Sequence, residues 1–385
     1  MSNAATPHRI ACLSTSRADA GIYRPLLRAL ASRPEWRVFC LAGGTHGSPA
    51  FGQTIDTLRD LDGVRIVPVR HRETGDSPVD IALAAGHALA EFSKALAAID
   101  ADLVFVLGDR TEMLAATLAA AIHRIPIAHL HGGERTAGAY DDGCRHAITK
   151  LAHIHFAAVP EFSQQIAAMG EAAWRIHTVG ALALDDVTGF EPEPVEELSA
   201  ALGLDFSRPT FVVLFHPETL SIQSPAEQVS ALLNALGRTE ANLLIVGTNA
   251  DVGHLVFTEA YRSFVADRPS ARLIASLPKR RFWSCLAHAR VLIGNSSAGI
   301  IEAASFKLPA VNIGERQTGR PRAANVIDTP CEAEAIARAI GRASSAAFRN
   351  AIKDVQNPYG DGRAASRIVA ALARLPDRQT LLVKA

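Results

Sequence analysis

The chain has 385 residues, of which 48% are hydrophobic, and because one hydrophobic core rarely organises that length, two domains are expected. Lysine plus arginine number 39, as do aspartate plus glutamate, so no overall field attracts nucleic acid or an anionic membrane, and any anion must be bound locally. Five scattered cysteines lack metal-ligand spacing, no apolar run reaches the length of a membrane span, and the N-terminus lacks a signal-peptide core. We therefore expect a cytoplasmic protein with reduced thiols.

In the first half of the chain, short apolar runs alternate with longer stretches of helical period, which predicts βαβ units. The predicted helices are "GIYRPLLRALASR" and "TEMLAATLAAAIHRI". The predicted strands are "RIACLSTS", "WRVFCLAGG", "DLVFVLGD", "IPIAHLHGG" and, as a further buried strand, "HIHFAAV". Strands that are apolar on both faces predict a parallel sheet covered by helices on each side.

The stretch near residues 180–198 interrupts this alternation with glycines, prolines and acids, and is interpreted as a domain linker. The second half then repeats the rhythm with "PTFVVLFHP", "ANLLIVGTN", "ARLIASLP", "RVLIGNSS" and "PAVNIG". The predicted fold is α/β, with two Rossmann-like doubly wound domains facing a cleft. Their predicted extents are 1–185 and 186–365, and 366–385 forms a C-terminal helix that packs back on the first domain. Such sheets bind ligands at the carboxyl ends of their strands.

Titratable residues follow several of these predicted strands. The densest group is "HLHGGERTAGAYDDGCRHAITK" at 129–150, which holds three carboxylates, three histidines and two arginines. The candidates that directly follow strands are Asp109 and Arg110, His129, His131 and Glu134, and His216.

A second kind of site is predicted in "VLIGNSSAGIIEAA". Asn295, Ser296 and Ser297 lie at a strand-to-helix turn, and Glu302 is expected one turn into the helix. A helix N-terminus with free N–H groups and small hydroxyls suits an anion, in particular a diphosphate. The sequence has no GxxxxGK[ST] motif and no GxGxxG after the first strand, which argues against ATP hydrolysis and against NAD.

Several of these residues also have purely structural interpretations. An aspartate in the position of Asp109 commonly caps the following helix. Asp141 and Asp142 can be a solvated turn, or acids that favour the N-terminus of the helix "CRHAITKLAH". For His129 and His131 we expect packing or substrate contact and no shared metal, because the histidines and cysteines lack zinc spacing. Asn249 and Asp251 either only end a strand or line the cleft.

The motifs together resemble the hydrolysing UDP-N-acetylglucosamine 2-epimerases of bacterial sialic and legionaminic acid synthesis. The resemblance covers nearly the whole chain, in the order "SRADAGIYRPLLRAL", "GGTHGSPAFG", "LGDRTEML", "HLHGGERTAGAYDDGCRHAITKLAH", "FHPETL", "TNAD" and "GNSSAGIIEAASFKLPAVNIGERQTGR". Three places depart from the family pattern: Ser14 to Ser16 stand where glycine-threonine is usual, Thr111 where an aromatic residue is usual, and Glu218 where valine is frequent. These departures leave open which substituents the sugar carries at carbons 4 and 6.

This resemblance implies a fold similar to that of the B-type glycosyltransferases (GT-B). It implies a reaction that expels UDP, removes the carbon 2 proton to give a 2-acetamidoglucal, and adds water at carbon 1. The implied catalytic residues are Asp109, Glu134, Asp141, Asp142 and His216. The implied residues that bind the sugar or UDP are Arg17, His46, Arg110, Arg145, Asn249, Ser296, Ser297, Glu302 and Arg320. No metal and no cofactor are implied.

The predicted activity is conversion of UDP-N-acetylglucosamine, or a close acetamido derivative, to an N-acetylmannosamine-type free sugar and UDP by a homo-oligomer, either dimer or tetramer. One alternative is the non-hydrolysing epimerase; its sequences resemble "EAGLRTG" and "PEE" where this chain has "HGGERTAG" and "YDD", which favours hydrolysis. A retaining glycosyltransferase, which needs an acceptor, is a second alternative, and a nucleotide-sugar sensor without catalysis is a third. The intact set of carboxylates argues against the sensor.

Overall fold

The computed structural model describes residues 9–47, 54–70, 77–135, 140–248 and 252–384, and for Arg17, Ala18, Thr54 and Thr57 it describes the backbone only. The chain divides into two compact units. The first comprises Met1–Glu134, Asp141–Thr188 and Tyr359–Ala385, and the second comprises Arg135–Tyr140 and Gly189–Pro358.

The first unit is a parallel sheet with interleaved helices. Its elements are β1 (Arg9–Ser14), α1 (Arg17–Ala31), β2 (Arg37–Ala42), β3 (Val64–Pro68), α2 (Pro78–Ile99), β4 (Leu103–Leu107), α3 (Thr111–Ile122), β5 (Ile127–Leu130), α4 (Asp141–Leu151), β6 (Ile154–Ala157), α5 (Pro160–Ala168) and β7 (Ile176–Thr178). Short 3-10 helices occupy Gly44–Gly47, Thr54–Leu58, Ala173–Arg175 and Leu182–Leu184. The strand order is β3-β2-β1-β4-β5-β6-β7, and each neighbouring pair is parallel.

The second unit repeats this plan. Its elements are α6 (Val195–Leu202), β8 (Thr210–Leu214), α7 (Pro225–Leu236), β9 (Asn242–Val246), α8 (His254–Ala266), β10 (Ala271–Ile274), α9 (Lys279–His288), β11 (Val291–Gly294), α10 (Ala298–Ile301), a 3-10 helix at Ala303–Phe306, β12 (Ala310–Ile313), β13 (Val326–Thr329), α11 (Ala333–Ser344) and α12 (Ala346–Ala351). The strands are parallel in the order β10-β9-β8-β11-β12-β13. In both sheets the order reverses beside the first strand of the unit, as in the Rossmann fold.

The chain returns to the first unit at Tyr359, where α13 (Ala364–Leu372) and α14 (Arg378–Leu382) complete it. Ile368 and Leu372 of α13 are buried in the same core cluster as Tyr23 and Leu27 of α1. Apart from Arg135–Tyr140, the second unit spans Gly189–Pro358, whereas the sequence predicted a second domain at 186–365. None of the described helices is both long and apolar enough to cross a membrane.

Local sequence signals explain where several helices begin. In α1, the hydroxyl of Ser16 accepts a hydrogen bond from the Asp19 amide, while the Asp19 carboxylate accepts one from the Ser16 amide. The same reciprocal capping box starts α2 at Ser77 and α7 at Ser224, each followed by proline at the first helical position. These caps satisfy N–H groups that the first turn of a helix cannot pair internally.

The predicted central strands are confirmed, whereas β3, β7 and β13 were missed. All three lie at the edges of their sheets, and none is buried along its whole length. An edge strand is solvated on one side and needs no continuous apolar run. The rule that identifies buried strands therefore does not find them.

Candidate functional site

In the first unit, the carboxylate of Asp109 follows β4 and meets the guanidinium of Arg145 on α4 in a charge-assisted hydrogen bond. The Arg145 side chain is 3% exposed and the Asp109 side chain 23%. Arg110 is the N-cap of α3, so Asp109 precedes the helix and the helix-cap interpretation of this aspartate is wrong. Asp109 is instead oriented by a cation from a different helix.

Two further acids lie in the first turn of α4. The helix begins at Asp141, three residues earlier than the predicted start at Cys144, because acids are favourable at a helix N-terminus. The carboxylate of Asp142 lies 4.0 Å from the Arg145 guanidinium. Asp109, Asp142 and Arg145 are therefore brought together, and Asp141 begins the same helix.

The side chain of His129 holds the backbone just before Asp109. Its side chain is fully buried, and burial lowers its pKa to about 3, so the imidazole is neutral. Nε2 lies 2.9 Å from the Gly108 carbonyl oxygen and must donate the proton, while Nδ1 lies 3.1 Å from the Thr149 hydroxyl. Because Gly108 has φ +73° and directly precedes Asp109, His129 fixes the turn that carries the carboxylate. Of its two predicted roles, packing is the one observed.

Glu134 lies after the neighbouring strand, β5. Its carboxylate Oε1 lies 2.6 Å from Nδ1 of His131, and the two side chains are 2% and 11% exposed. Leu107 at the end of β4 is in register with Leu130 at the end of β5, so Asp109 and Glu134 follow adjacent strand ends of one sheet.

The remaining first-unit candidates have mixed outcomes. His46 is buried with Nε2 2.7 Å from the Ser14 hydroxyl, and burial lowers its pKa; its described contact is with the end of β1. Arg110 pairs with Glu112 at 3.6 Å. Arg17 begins α1, and its side chain lies outside the described atoms.

In the second unit, His216 follows β8 and is held by Asn295, which follows β11. The Asn295 side-chain oxygen accepts the His216 backbone N–H at 2.8 Å, and its amide donates to the His216 carbonyl at 2.8 Å. Gln317, from the segment after β12, donates to the Asn295 carbonyl at 2.7 Å. Asn295 was named only as part of the predicted anion-binding turn, and Gln317 was not singled out at all, because contacts to backbone groups leave no recognisable motif in the sequence.

The segment after β12 is fixed by Glu218, which lies two residues after His216. One carboxylate oxygen of Glu218 accepts the backbone N–H groups of Glu315 at 2.8 Å and Arg316 at 2.9 Å. A Cβ at Gly314 would lie 2.4 Å from the same oxygen, and φ there is +75°, so the close approach requires glycine. Burial raises the pKa of Glu218. This carboxylate therefore sets the path of the loop that carries the predicted anion-binding Arg320.

Arg320 itself is buried, and its Nε donates to the backbone carbonyl of Arg135 at 3.0 Å. That contact lies within the second unit, to which Arg135–Tyr140 belongs. Asn249, with its neighbour Asp251, lies outside the described residues.

The predicted helix after the two serines is much shorter than expected. Ser297 caps α10, which has four residues and ends at Ile301 before a 3-10 turn. Glu302 lies at that junction, where its carboxylate accepts a hydrogen bond from the Trp283 indole at 2.6 Å and burial raises its pKa. A helix dipole builds up over several turns. Anion binding here must therefore depend on side chains and local N–H groups more than on a helix dipole.

Two sheets in Rossmann strand order, with acids and bases after their strands, define an α/β enzyme of the GT-B-like class. The model of the UDP-N-acetylglucosamine 2-epimerase family matches residues 28–373. The chain belongs to this family, as the motifs indicated.

Curated relatives extend over nearly the whole chain. The Legionella pneumophila protein named UDP-N,N'-diacetylbacillosamine 2-epimerase (hydrolyzing) is 34% identical over 98% of both chains. The Escherichia coli polysialic acid biosynthesis protein P7 is 32% identical over 91% of this chain and 90% of that one. The crystal structure of Neisseria meningitidis UDP-GlcNAc 2-epimerase bound to UDP-GlcNAc matches with a TM-score of 0.81 over 95% of this chain and 100% of that one, at 15% identity. At that identity the likeness shows the fold alone.

The Glu218 contact leads to a first prediction. Glu218→Leu removes the acceptor of two backbone N–H groups in the segment that carries Arg320, so we expect the affinity for UDP, the ligand that the resemblance implies, to fall roughly 10- to 100-fold. Glu218→Gln keeps a carbonyl oxygen at the same place and should stay within about fivefold of wild type. Titration calorimetry with UDP measures both. Equal losses in the two variants would show that the charge of Glu218, and not its acceptor role, is what matters.

Proposed function

We propose that the protein is a hydrolysing 2-epimerase. Its substrate is UDP-N-acetylglucosamine or the 2,4-diacetamido-6-deoxy analogue, and its products are the N-acetylmannosamine-type free sugar and UDP. The observation that carries the proposal is the pair of carboxylates at adjacent strand ends, with Asp109 held by Arg145 and Glu134 held by His131. The name of the Legionella relative supports hydrolysis and a diacetylated amino sugar, and the name of the Escherichia coli relative supports a role in polysialic acid biosynthesis.

The chemistry explains why two carboxylates are needed. Carbon 2 of the sugar has no adjacent carbonyl, so its proton is hardly acidic until the bond to UDP begins to break. In the proposed reaction UDP leaves carbon 1, a base removes the carbon 2 proton, and a 2-acetamidoglucal results. Water then adds at carbon 1 while an acid protonates carbon 2 from the opposite face. One group cannot reach both faces, so we assign these steps to Asp109 and Glu134, assisted by Asp141 and Asp142.

We assign the departing diphosphate to Arg17, His216 and Arg320 beside the turn that carries Ser296 and Ser297, and further UDP contacts to Asn249 and Glu302. His46, Arg110 and Arg145 complete the proposed substrate contacts. Charge-assisted hydrogen bonds of this kind contribute roughly 1.5–3 kcal/mol each. The assignment uses no metal and no cofactor. In the described part of the chain, no group of three or more His, Cys, Asp or Glu side chains is arranged to hold a metal ion.

The proposed enzyme is a cytoplasmic homo-oligomer, dimer or tetramer. Support comes from α2 and α3, which pack together and expose Val79, Leu83, Leu118 and Ile122, each at least 41% accessible. Exposed apolar side chains that form a contiguous patch mark interaction sites, and these four lie on two helices that pack together. Light scattering of the purified protein gives the mass directly, and a monomer at micromolar concentration would contradict this part of the proposal.

The second prediction concerns the two carboxylates. Asp109→Asn and Glu134→Gln should each lower turnover by roughly 100- to 10,000-fold. UDP should still bind, because the residues assigned to it lie mainly in the second unit. Both substitutions keep an oxygen that can accept from Arg145 or His131. Steady-state kinetics and calorimetry on the same samples, with melting curves as the folding control, measure the effect. Near-normal turnover in either variant removes that residue from the mechanism.

The third prediction tests the reaction itself. In deuterated water, the released sugar should have the manno configuration and carry one deuterium at carbon 2, because the glycal recovers its hydrogen from an exchangeable group. NMR of the products from each UDP-sugar, offered separately and in competition, reads configuration, label and preference together. A gluco product that retains its hydrogen contradicts epimerisation, and a manno sugar still attached to UDP selects the non-hydrolysing reaction.

A further inference from the structure

His131 is a buried histidine with an unusual backbone conformation. It follows β5 with φ +62°, a region that side-chain-bearing residues rarely adopt. Its backbone N–H still pairs with the Phe156 carbonyl of β6 at 3.1 Å, so the sheet holds its main chain in place. A strained position kept by the surrounding structure is a reason to look for function there.

Two glycines turn the chain immediately after His131. A Cβ at Gly132 would lie 2.8 Å from the ring of His129, and one at Gly133, where φ is +74°, would lie 2.4 Å from the Phe162 carbonyl of α5. The turn is therefore pressed against its neighbours and admits no side chain. Because the turn is tight, the side chain of Glu134 reaches His131, three residues earlier in the chain. Oε1 of Glu134 lies 2.6 Å from Nδ1 of His131.

The direction of this hydrogen bond follows from the chemistry of the two groups. An ionised carboxylate only accepts, so Nδ1 carries the proton and donates it to Oε1. In the neutral ring Nε2 is then unprotonated. It is buried and has no hydrogen-bond partner among the described residues. The ring thus presents one polar contact, and that contact is with Glu134.

We infer that His131 is a positioning residue for Glu134, which rests on the proposed function of Glu134 in proton transfer. By holding one carboxylate oxygen, His131 restricts rotation of the glutamate and directs the group toward the sugar. The positive φ occurs at the residue whose imidazole contacts Glu134, three residues later in the chain. His131 itself moves no proton between substrate and solvent.

The test is a matched pair of substitutions that both tolerate positive φ. Asparagine is enriched in that region and its side-chain amide can donate in place of Nδ1, whereas glycine adopts it freely and offers no donor. We expect His131→Asn to keep kcat within about fivefold of wild type and His131→Gly to lower kcat roughly 10- to 100-fold. Both should bind UDP as tightly as wild type and melt at similar temperatures.

Each contrary outcome overturns the inference. If the asparagine variant is as slow as the glycine variant, the titratable ring is required and His131 is itself the proton carrier. If the glycine variant is as fast as wild type, the contact is dispensable. If kcat and UDP affinity fall together, or the glycine variant melts much earlier, the role is general stability.

A spectroscopic readout separates this inference from the proposed function. In protein labelled with nitrogen-15 histidine, the His131 signal should show the Nδ1-protonated ring, and Glu134→Gln should shift it. A ring protonated at Nε2 contradicts the contact whatever the enzyme catalyses. Conversely, if the wild-type protein turns over neither UDP-sugar, the proposed function is wrong, but the NMR signal of His131 still tests its contact with Glu134.

Discussion

The buried contact between Arg145 and Asp109 is the interaction on which the first unit's site depends. A guanidinium that is 3% exposed has lost most of its hydration, and that loss is tolerable only beside an opposite charge. Asp109 supplies the charge from β4, and Asp142 adds a second carboxylate from the helix that carries the arginine. The contact therefore fixes α4 against the end of β4. Acids at the start of that helix are stabilised twice, by the helix dipole and by this cation.

A neutral group in the core also helps to position the Asp109 carboxylate. His129 is kept uncharged by burial, so it can donate to the Gly108 carbonyl without adding positive charge next to Arg145. After the neighbouring strand β5, His131 holds a second carboxylate, that of Glu134. Each proposed acid or base is thus oriented by one basic side chain, and neither depends on solvent for its direction. Preorganisation of this kind is what a reaction with charge at two faces of a sugar ring requires.

In the second unit, polar side chains position backbone segments. Asn295 and Glu218 both act on main-chain groups, one at His216 and the other at Glu315 and Arg316. Because two N–H groups converge on one Glu218 oxygen, the segment after β12 has little freedom. These N–H groups stabilise a negative charge on Glu218, whereas burial disfavours that charge and raises the pKa of the carboxyl group.

The sequence by itself determined the architecture. Apolar runs such as "DLVFVLGD" predicted the central strands because a strand buried on both faces needs continuous hydrophobic residues, and the rule that sheets bind ligands at strand ends picked out Asp109, Glu134 and His216. Edge strands such as β13 lack that signal. Sequence could not say whether Asp109 capped α3, because both interpretations use the same residue at the same place.

Only the tertiary structure decided which partner each candidate has. Arg145 is 36 residues from Asp109 in sequence, and Glu218 is 97 residues from Glu315, so no local pattern joins them. The end of α10 at Ile301 and the turn of Glu302 toward Trp283 are likewise set by packing against α9. Periodicity and spacing in the sequence reflect interactions between residues that are close along the chain. Contacts between the ends of different strands depend on strand order, which exists only once the sheet has formed.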